Sequence, residues 1–213
     1  MDLNATDIQV LWDIHSAVTR SGSAKRQRAD VLNRTTIVFI AACWESYVED
    51  VAVEAFDYLL DHAQSPDVFP GKVRALASRD LREARDERLV WNLAGDGWKT
   101  VLTDHRDAVV SRWLGDFNTP KSARVRELFA SLLGLGDVTE SWEWGGVTSE
   151  EACAKLDHYM GIRGDIAHRT QHEKAVHKTW GKEFFSLVLQ LADCTDQALS
   201  HHVNGLTGGT PWE

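Results

Sequence analysis

The chain is predicted to be all-α, a bundle of six or seven helices around one long central helix. Three observations carry that expectation. Only four prolines occur in 213 residues. Aliphatic residues recur at spacings of three and four, the period of a helix face. And one stretch, from about Lys25 to Ala63, is apolar on most of its sides, as a central helix must be. A hydrophobic share of 43% is ordinary for a globular protein and enough for a core.

The elements follow in order. Asn4 or Thr6 can cap a first helix that runs to roughly Thr19, with Ile8, Leu11, Trp12, His15 and Val18 on one side. The stretch SGS at 21–23 breaks it. The long helix then runs to Ala63 and is stopped by Ser65-Pro66. One of its stripes is Ile37, Ile40, Trp44, Tyr47, Val51, Ala55 and Tyr58. The other is Val31, Val38, Ala42, Val48, Ala52, Phe56 and Leu59. Glu45 falls inside the second stripe, so its carboxylate needs a cation or donors. It fits a helix–helix salt bridge, a position at the stripe's edge, or a residue that orients a site cation.

From Pro70 to Leu114 the chain is charged and compatible with helix. RDLREARDERL alternates signs as a solvated helix face does. AGDG at 94–97 reads as a loop. Trp91, Trp98 and Trp113 read first as packing residues, with base stacking as the alternative. DFNTP at 116–120 turns into a helix, KSARVRELFASLLGLG, that ends at Gly134 or Gly136. DVTESWEWGGVTS is a long loop. SEEACAKLDHYMGIR is a helix capped by Ser149, with Glu150 and Glu151 in its first turn. The last helix spans His172 to His202, and residues 203–213 read as a frayed tail. With no repeat, linker or composition break, residues 1–213 are expected to form one domain.

Composition excludes several classes. With 23 Lys and Arg against 32 Asp and Glu, the net charge is −9. Such a surface does not hold long nucleic acid by non-specific counterion release, although it permits a local basic site. Cys43, Cys153 and Cys194 are dispersed and form no Cys-x-x-Cys pair, so neither a disulfide framework nor a cysteine zinc site is indicated. A reducing, cytoplasmic setting fits, and the polar MDLNATD start lacks the character of a signal peptide. The longest apolar run, Ile37 to Trp44, falls far short of the roughly 20 residues of a membrane span.

The chemistry concentrates in YMGIRGDIAHRTQH, residues 159–172. On a straight helix, positions five apart differ by about 140° in direction. Arg163 and His168 then converge only if the helix breaks between them. Gly164 can supply the break through a left-handed conformation, and Asp165 can cap a restarted segment. So arranged, a neutral histidine could take the proton of an RNA 2′-hydroxyl as it attacks the adjacent phosphorus. Arginine could grip the phosphate oxygens and stabilise the charge developing there. No metal or other cofactor is required. The competing reading is a helix–turn–helix joint with solvated polar residues. A further alternative is zinc held by His168 and His172, which share a helix face, but no acidic or cysteine third ligand completes it.

The wider pattern resembles the HEPN superfamily, most closely its RiboL-PSP-HEPN and MAE-type branches. That family's motif is Arg, four to six residues, then His, often Arg-Asn-x-Ile-Ala-His. RGDIAH matches it at Arg163, Ile166, Ala167 and His168. Upstream, AACWESYVEDVAVEAF resembles the family's long helix, including the step Trp44, Glu45, Tyr47. FNTPKSARVRELFASLLGLGDV resembles the stretch before the motif helix. The resemblance implies an all-α HEPN-like fold and a metal-independent endoribonuclease similar to toxins and anti-phage effectors. It also implies a site formed where two protomers of a homodimer meet, an RNA substrate, and control by an antitoxin or another regulatory protein. Carried over, Arg163 and His168 are the catalytic residues and Glu45 a supporting acid. Gly164 departs from the family, which usually has a polar residue there; either Asp165 takes over that role one place later or the position is unimportant. The alternative within the family is an interaction module without catalysis.

Overall fold

The structure, a computed structural model, describes residues 5–18, 25–168 and 176–212. The structure is 79% helical, and these residues form no strand, as the sequence predicts. Nine α-helices follow one another: α1 (Ala5–Val18), α2 (Lys25–His62), α3 (Gly71–Ala77), α4 (Arg79–Glu83), α5 (Gly97–Asp104), α6 (Arg106–Leu114), α7 (Ser122–Leu133), α8 (Ser149–His168) and α9 (Lys178–Thr207). The count exceeds the expected six or seven because the charged stretch between Pro70 and Leu114 divides into four short helices. A short 3-10 turn, Pro66–Val68, precedes it, and another, Glu87–Leu93, interrupts it. No helix among the described residues is long and apolar enough to cross a membrane.

Two compact units are defined by their internal contacts. The first gathers Met1–Tyr47, Thr119–Ser122 and Trp142–Cys194. Its core is built on the first half of α2, where Ile37, Ile40, Trp44 and Tyr47 are fully or almost fully buried. The indole of Trp44 stacks on Tyr47 at 5.5 Å and meets Trp142 edge-on at 6.0 Å. Its Nε1 donates to the carbonyl of Pro120 at 3.0 Å. The Tyr47 hydroxyl donates to the carbonyl of Ala192 at 2.9 Å. Each aromatic thus buries its ring while its polar atom finds a backbone partner. α9 approaches α2 closely at Gly181, where an added Cβ would lie 3.0 Å from the Thr36 methyl.

The first stripe of α2 is buried as expected through Ala55, but the second is not uniform. Val48, Ala52, Phe56 and Leu59 are buried, whereas Val31 is 56% exposed and Ala42 is exposed. Ala41 takes the inward place instead.

α8 begins with a reciprocal cap that sits one residue earlier than Ser149. Thr148 Oγ1 accepts from the Glu151 amide at 3.3 Å, and Glu151 accepts from the Thr148 amide at 3.4 Å. Before it, Gly145 and Gly146 take φ of 52° and 87°. Only glycine adopts two such angles in succession at low cost, and the tight turn they make pairs Trp144 with Val147.

The second unit comprises Val48–Asn118, Ala123–Ser141 and Thr195–Glu213. Phe56, Phe69 and Trp98 pack in series at 5.3 and 6.2 Å. Trp98 is therefore a core residue, whereas Trp91 stands 75% exposed. Arg106 holds Asp57 with both arms of its fork, at 2.7 and 2.6 Å. α7 ends at Leu133 because Gly134 adopts φ 73°. The released Leu133 carbonyl accepts from His202 Nε2 at 2.9 Å. The tail does not fray at residue 203: α9 continues to Thr207, and Trp212 Nε1 donates to Glu54 at 2.9 Å. Hydrogen bonds and a buried Val203 hold what composition alone made look loose.

Trp44 is the residue whose truncation should cost the first unit most. Trp44→Ala is expected to destabilise by about 3–5 kcal/mol. Trp44→Phe keeps most of the bulk but orphans the Pro120 carbonyl, at about 1–3 kcal/mol. Urea denaturation of the two variants checks both the order and the size.

Candidate functional site

α8 carries the whole motif, and it does not break at Gly164. The helix is continuous from Ser149 to His168, and Gly164 is not among the glycines with positive φ. The turn expected at Gly164-Asp165 is therefore absent, and with it the role of Asp165 as a cap for a second segment. The physical reason is packing. Ile162, 4% exposed, and Ile166, half-buried, stand four apart on one side of α8. Keeping both against their neighbours outweighs the roughly 1 kcal/mol that a mid-helix glycine costs. Arg163 and His168 consequently lie about 140° apart around the helix. The backbone of His168 closes α8; its side chain lies outside the described residues, as does His172 of the zinc alternative. Among the described residues, no three His, Cys, Asp or Glu side chains are grouped to hold a metal.

Glu45 does meet Arg163. On α2, one Glu45 carboxylate oxygen lies 3.9 Å from Nη2 of Arg163. The side chains are 24% and 26% exposed. At that distance the contact is an attraction between charges, not a hydrogen bond. The Glu45 oxygen concerned is buried with no hydrogen-bond partner. Burial raises the carboxyl above its ordinary range, and the Arg163 charge opposes this only in part. Asp165 is exposed on the last turn of α8.

Two hollows flank the motif helix within the first unit. One, of about 270 Å³, is lined by Val31, Arg34, Thr35, Val38 and Ile166. Arg34 is paired there with Asp30, so the lining is largely apolar. The other, of about 770 Å³, lies between α8 and α9. It includes Tyr159, His158 and Lys155 from α8, Trp180 and Glu183 from α9, and Trp144 from the glycine turn. Sequence reading passed over this second group. Its signal was present in Tyr159, one turn before Arg163, but Glu183 and Trp180 are distant in sequence and carry no motif.

The described residues are all-α, and an arginine of the motif helix meets a carboxylate of α2. The family follows from comparison: the RiboL-PSP-HEPN family model matches residues 6–201. No curated protein and no solved structure matches the chain. The chain belongs to the RiboL-PSP-HEPN family. HEPN domains are often ribonucleases, and membership points to a nuclease or related role.

Two expectations arise here. A Cβ on Gly164 meets no atom within 4 Å, so Gly164→Ala should stabilise the protein by about 0.5–1 kcal/mol. A loss of stability would mean that the helix turns at this residue. For Glu45, a folded pKa above the unfolded value means that the folded state holds the proton longer. Stability from this group is then full below its ordinary pKa of 4.5 and falls as pH rises through the folded pKa. Glu45→Gln removes that loss. Its stability relative to wild type should increase from pH 4 to pH 7 in paired denaturation curves, whereas a strong Glu45–Arg163 bridge would produce the opposite trend.

Proposed function

We propose that the protein is a metal-independent endoribonuclease acting through Arg163 and His168, in the manner of a toxin or anti-phage effector. The observation that carries this reading is the sequence RGDIAH in a chain that the family model matches over residues 6–201. His168 takes the proton of the 2′-hydroxyl as that oxygen attacks the adjacent phosphorus. The bond to the 5′-oxygen breaks, leaving a 2′,3′-cyclic phosphate and a 5′-hydroxyl. Arg163 binds the phosphate oxygens and stabilises their charge. Glu45 is a positioning residue, biasing Arg163 by charge without engaging it in a hydrogen bond.

The leaving oxygen needs an acid as well as a base, and one chain offers one strong histidine for both. The 140° separation of the two positions adds to the difficulty. A two-fold dimer supplies a second copy of each residue. What supports the dimer is the largely apolar hollow of Val31, Val38 and Ile166, which adjoins the motif itself. An antitoxin or other regulatory protein would restrain such an enzyme in the cell.

The test is incubation of the pure protein with total RNA, with and without EDTA, followed by end-group analysis. EDTA-resistant cleavage that leaves cyclic phosphate ends is expected. Arg163→Ala and His168→Ala should abolish cleavage and toxicity. For Arg163→Ala the melting temperature should barely move, because a partly exposed pair at 3.9 Å contributes about 0–1 kcal/mol. Wild-type rates in both variants would place the catalytic site elsewhere, whereas no cleavage by the wild-type protein would make it a non-catalytic interaction module.

Light scattering should give twice the 23.9 kDa chain mass. Val31→Glu should yield a monomer with little activity. A fully active monomer would remove the composite site.

A further inference from the structure

We propose that the hollow between α8 and α9 is a base-binding subsite for single-stranded RNA, selective for bases that carry an exocyclic amine. The proposal rests on the nuclease reading and deepens it by naming what the enzyme recognises beside the scissile phosphate.

Size comes first. About 770 Å³ is room for a nucleotide rather than for an ion or a single side chain. The walls suit a planar ring. Trp144 and Trp180 are both half-buried, so each retains indole surface for a ligand. Tyr159, which lines the same hollow, is already stacked on Phe184 at 4.6 Å, which fixes its plane. Stacking on aromatic rings is how proteins hold unpaired bases. At the rim, Lys155 is exposed and offers a cation to a backbone phosphate.

The polar groups make the choice of base. Tyr159 donates its hydroxyl to Glu183 at 3.0 Å, which anchors the carboxylate at the edge of the hollow. An ionised carboxylate only accepts hydrogen bonds. The amino groups of adenine, cytosine and guanine can donate to it. Uracil presents a single N–H between two carbonyl oxygens, and both oxygens repel the carboxylate. An apolar peptide side chain would desolvate Glu183 and give it no donor.

Position connects the hollow to the chemistry. Tyr159 precedes Arg163 by four residues, about one turn of α8 or roughly 5.4 Å along its axis. A base seated against Tyr159 therefore belongs to a nucleotide next to the phosphate that Arg163 would hold.

The experiment uses the full-length protein and short 2′-O-methyl oligoribonucleotides, which lack the attacking hydroxyl and so report binding alone. Tryptophan fluorescence should show A₆ and C₆ binding about tenfold more tightly than U₆. Trp180→Ala should weaken A₆ by about tenfold. Glu183→Gln should bring U₆ to within about twofold of A₆, and the exposed Lys155→Ala should weaken all three oligonucleotides together. If Trp180→Ala does not fold, Glu183→Gln and Lys155→Ala decide the matter. Discrimination that survives Glu183→Gln overturns the proposal, as does a folded Trp180→Ala that binds like wild type. A dimer that dissociates when either residue is changed would make the hollow an interface between copies and also overturn it. The two readings fail separately. Without this subsite, unmodified RNA is cut but binding is indifferent to Trp180 and Glu183. Without nuclease activity, the oligonucleotides bind with the stated preference but unmodified RNA stays whole.

Discussion

Ile162 and Ile166 keep α8 helical through Gly164, and the arrangement of the motif follows from that constraint. A helix that broke at the glycine would gather Arg163 and His168 on one spot of one chain. A helix that continues spreads the motif around its circumference. Arg163 is directed to the Glu45 side of α2, Ile166 joins an apolar hollow, Asp165 faces solvent, and His168 takes a position about 140° from Arg163. The motif is then less a preassembled pair than a set of groups offered in different directions. Such a set suits chemistry completed by another molecule.

The contact of Arg163 with Glu45 has a second consequence, which appears by contrast with Arg106. Arg106 is gripped by Asp57 through two short hydrogen bonds, and that fork is committed to structure. Arg163 has a carboxylate at 3.9 Å and no hydrogen bond to it. Its donors are not consumed by Glu45, so the guanidinium keeps the geometry that binds a phosphate in two places. The cost falls on Glu45, whose buried oxygen lacks a partner and whose carboxyl is raised by that burial. Unsatisfied polar groups of this kind are rare in interiors and tend to mark places where stability has been given up for another requirement.

Much of this was legible in the sequence, and the limits of legibility have physical causes. α2 was readable almost to the residue, because its length, its apolar stripes and the stop at Ser65-Pro66 all act locally. The capping box at Thr148 and Glu151 was equally local and was displaced by one residue only because Ser149 is also a good cap. Gly164 misled because its conformational freedom is a permission and not an instruction; the isoleucines on either side decided its state, through contacts with residues far away in sequence. The outward turn of Val31 and Ala42 was hidden for the same reason, since a stripe shows which residues share a face but not what covers it. The hollow between α8 and α9 was least legible. Its residues come from three separate elements, and only the fold brings Glu183 to the Tyr159 hydroxyl.

A net charge of −9 bears on how such a protein could act on RNA at all. Long-range attraction is unavailable, because at physiological salt the field of each charge decays within about 8 Å and the sum has the wrong sign. Recognition must then be short-ranged, built from stacking, fitted hydrogen bonds and a few local cations. Bases inside a duplex expose neither their faces nor their pairing edges, so this mode selects single strands and loops. For the proposed nuclease, an acidic surface would thereby serve as a filter. It would repel polyanions in general and admit only those whose unpaired bases reach the aromatic walls and the Glu183 edge while a phosphate comes within reach of Arg163.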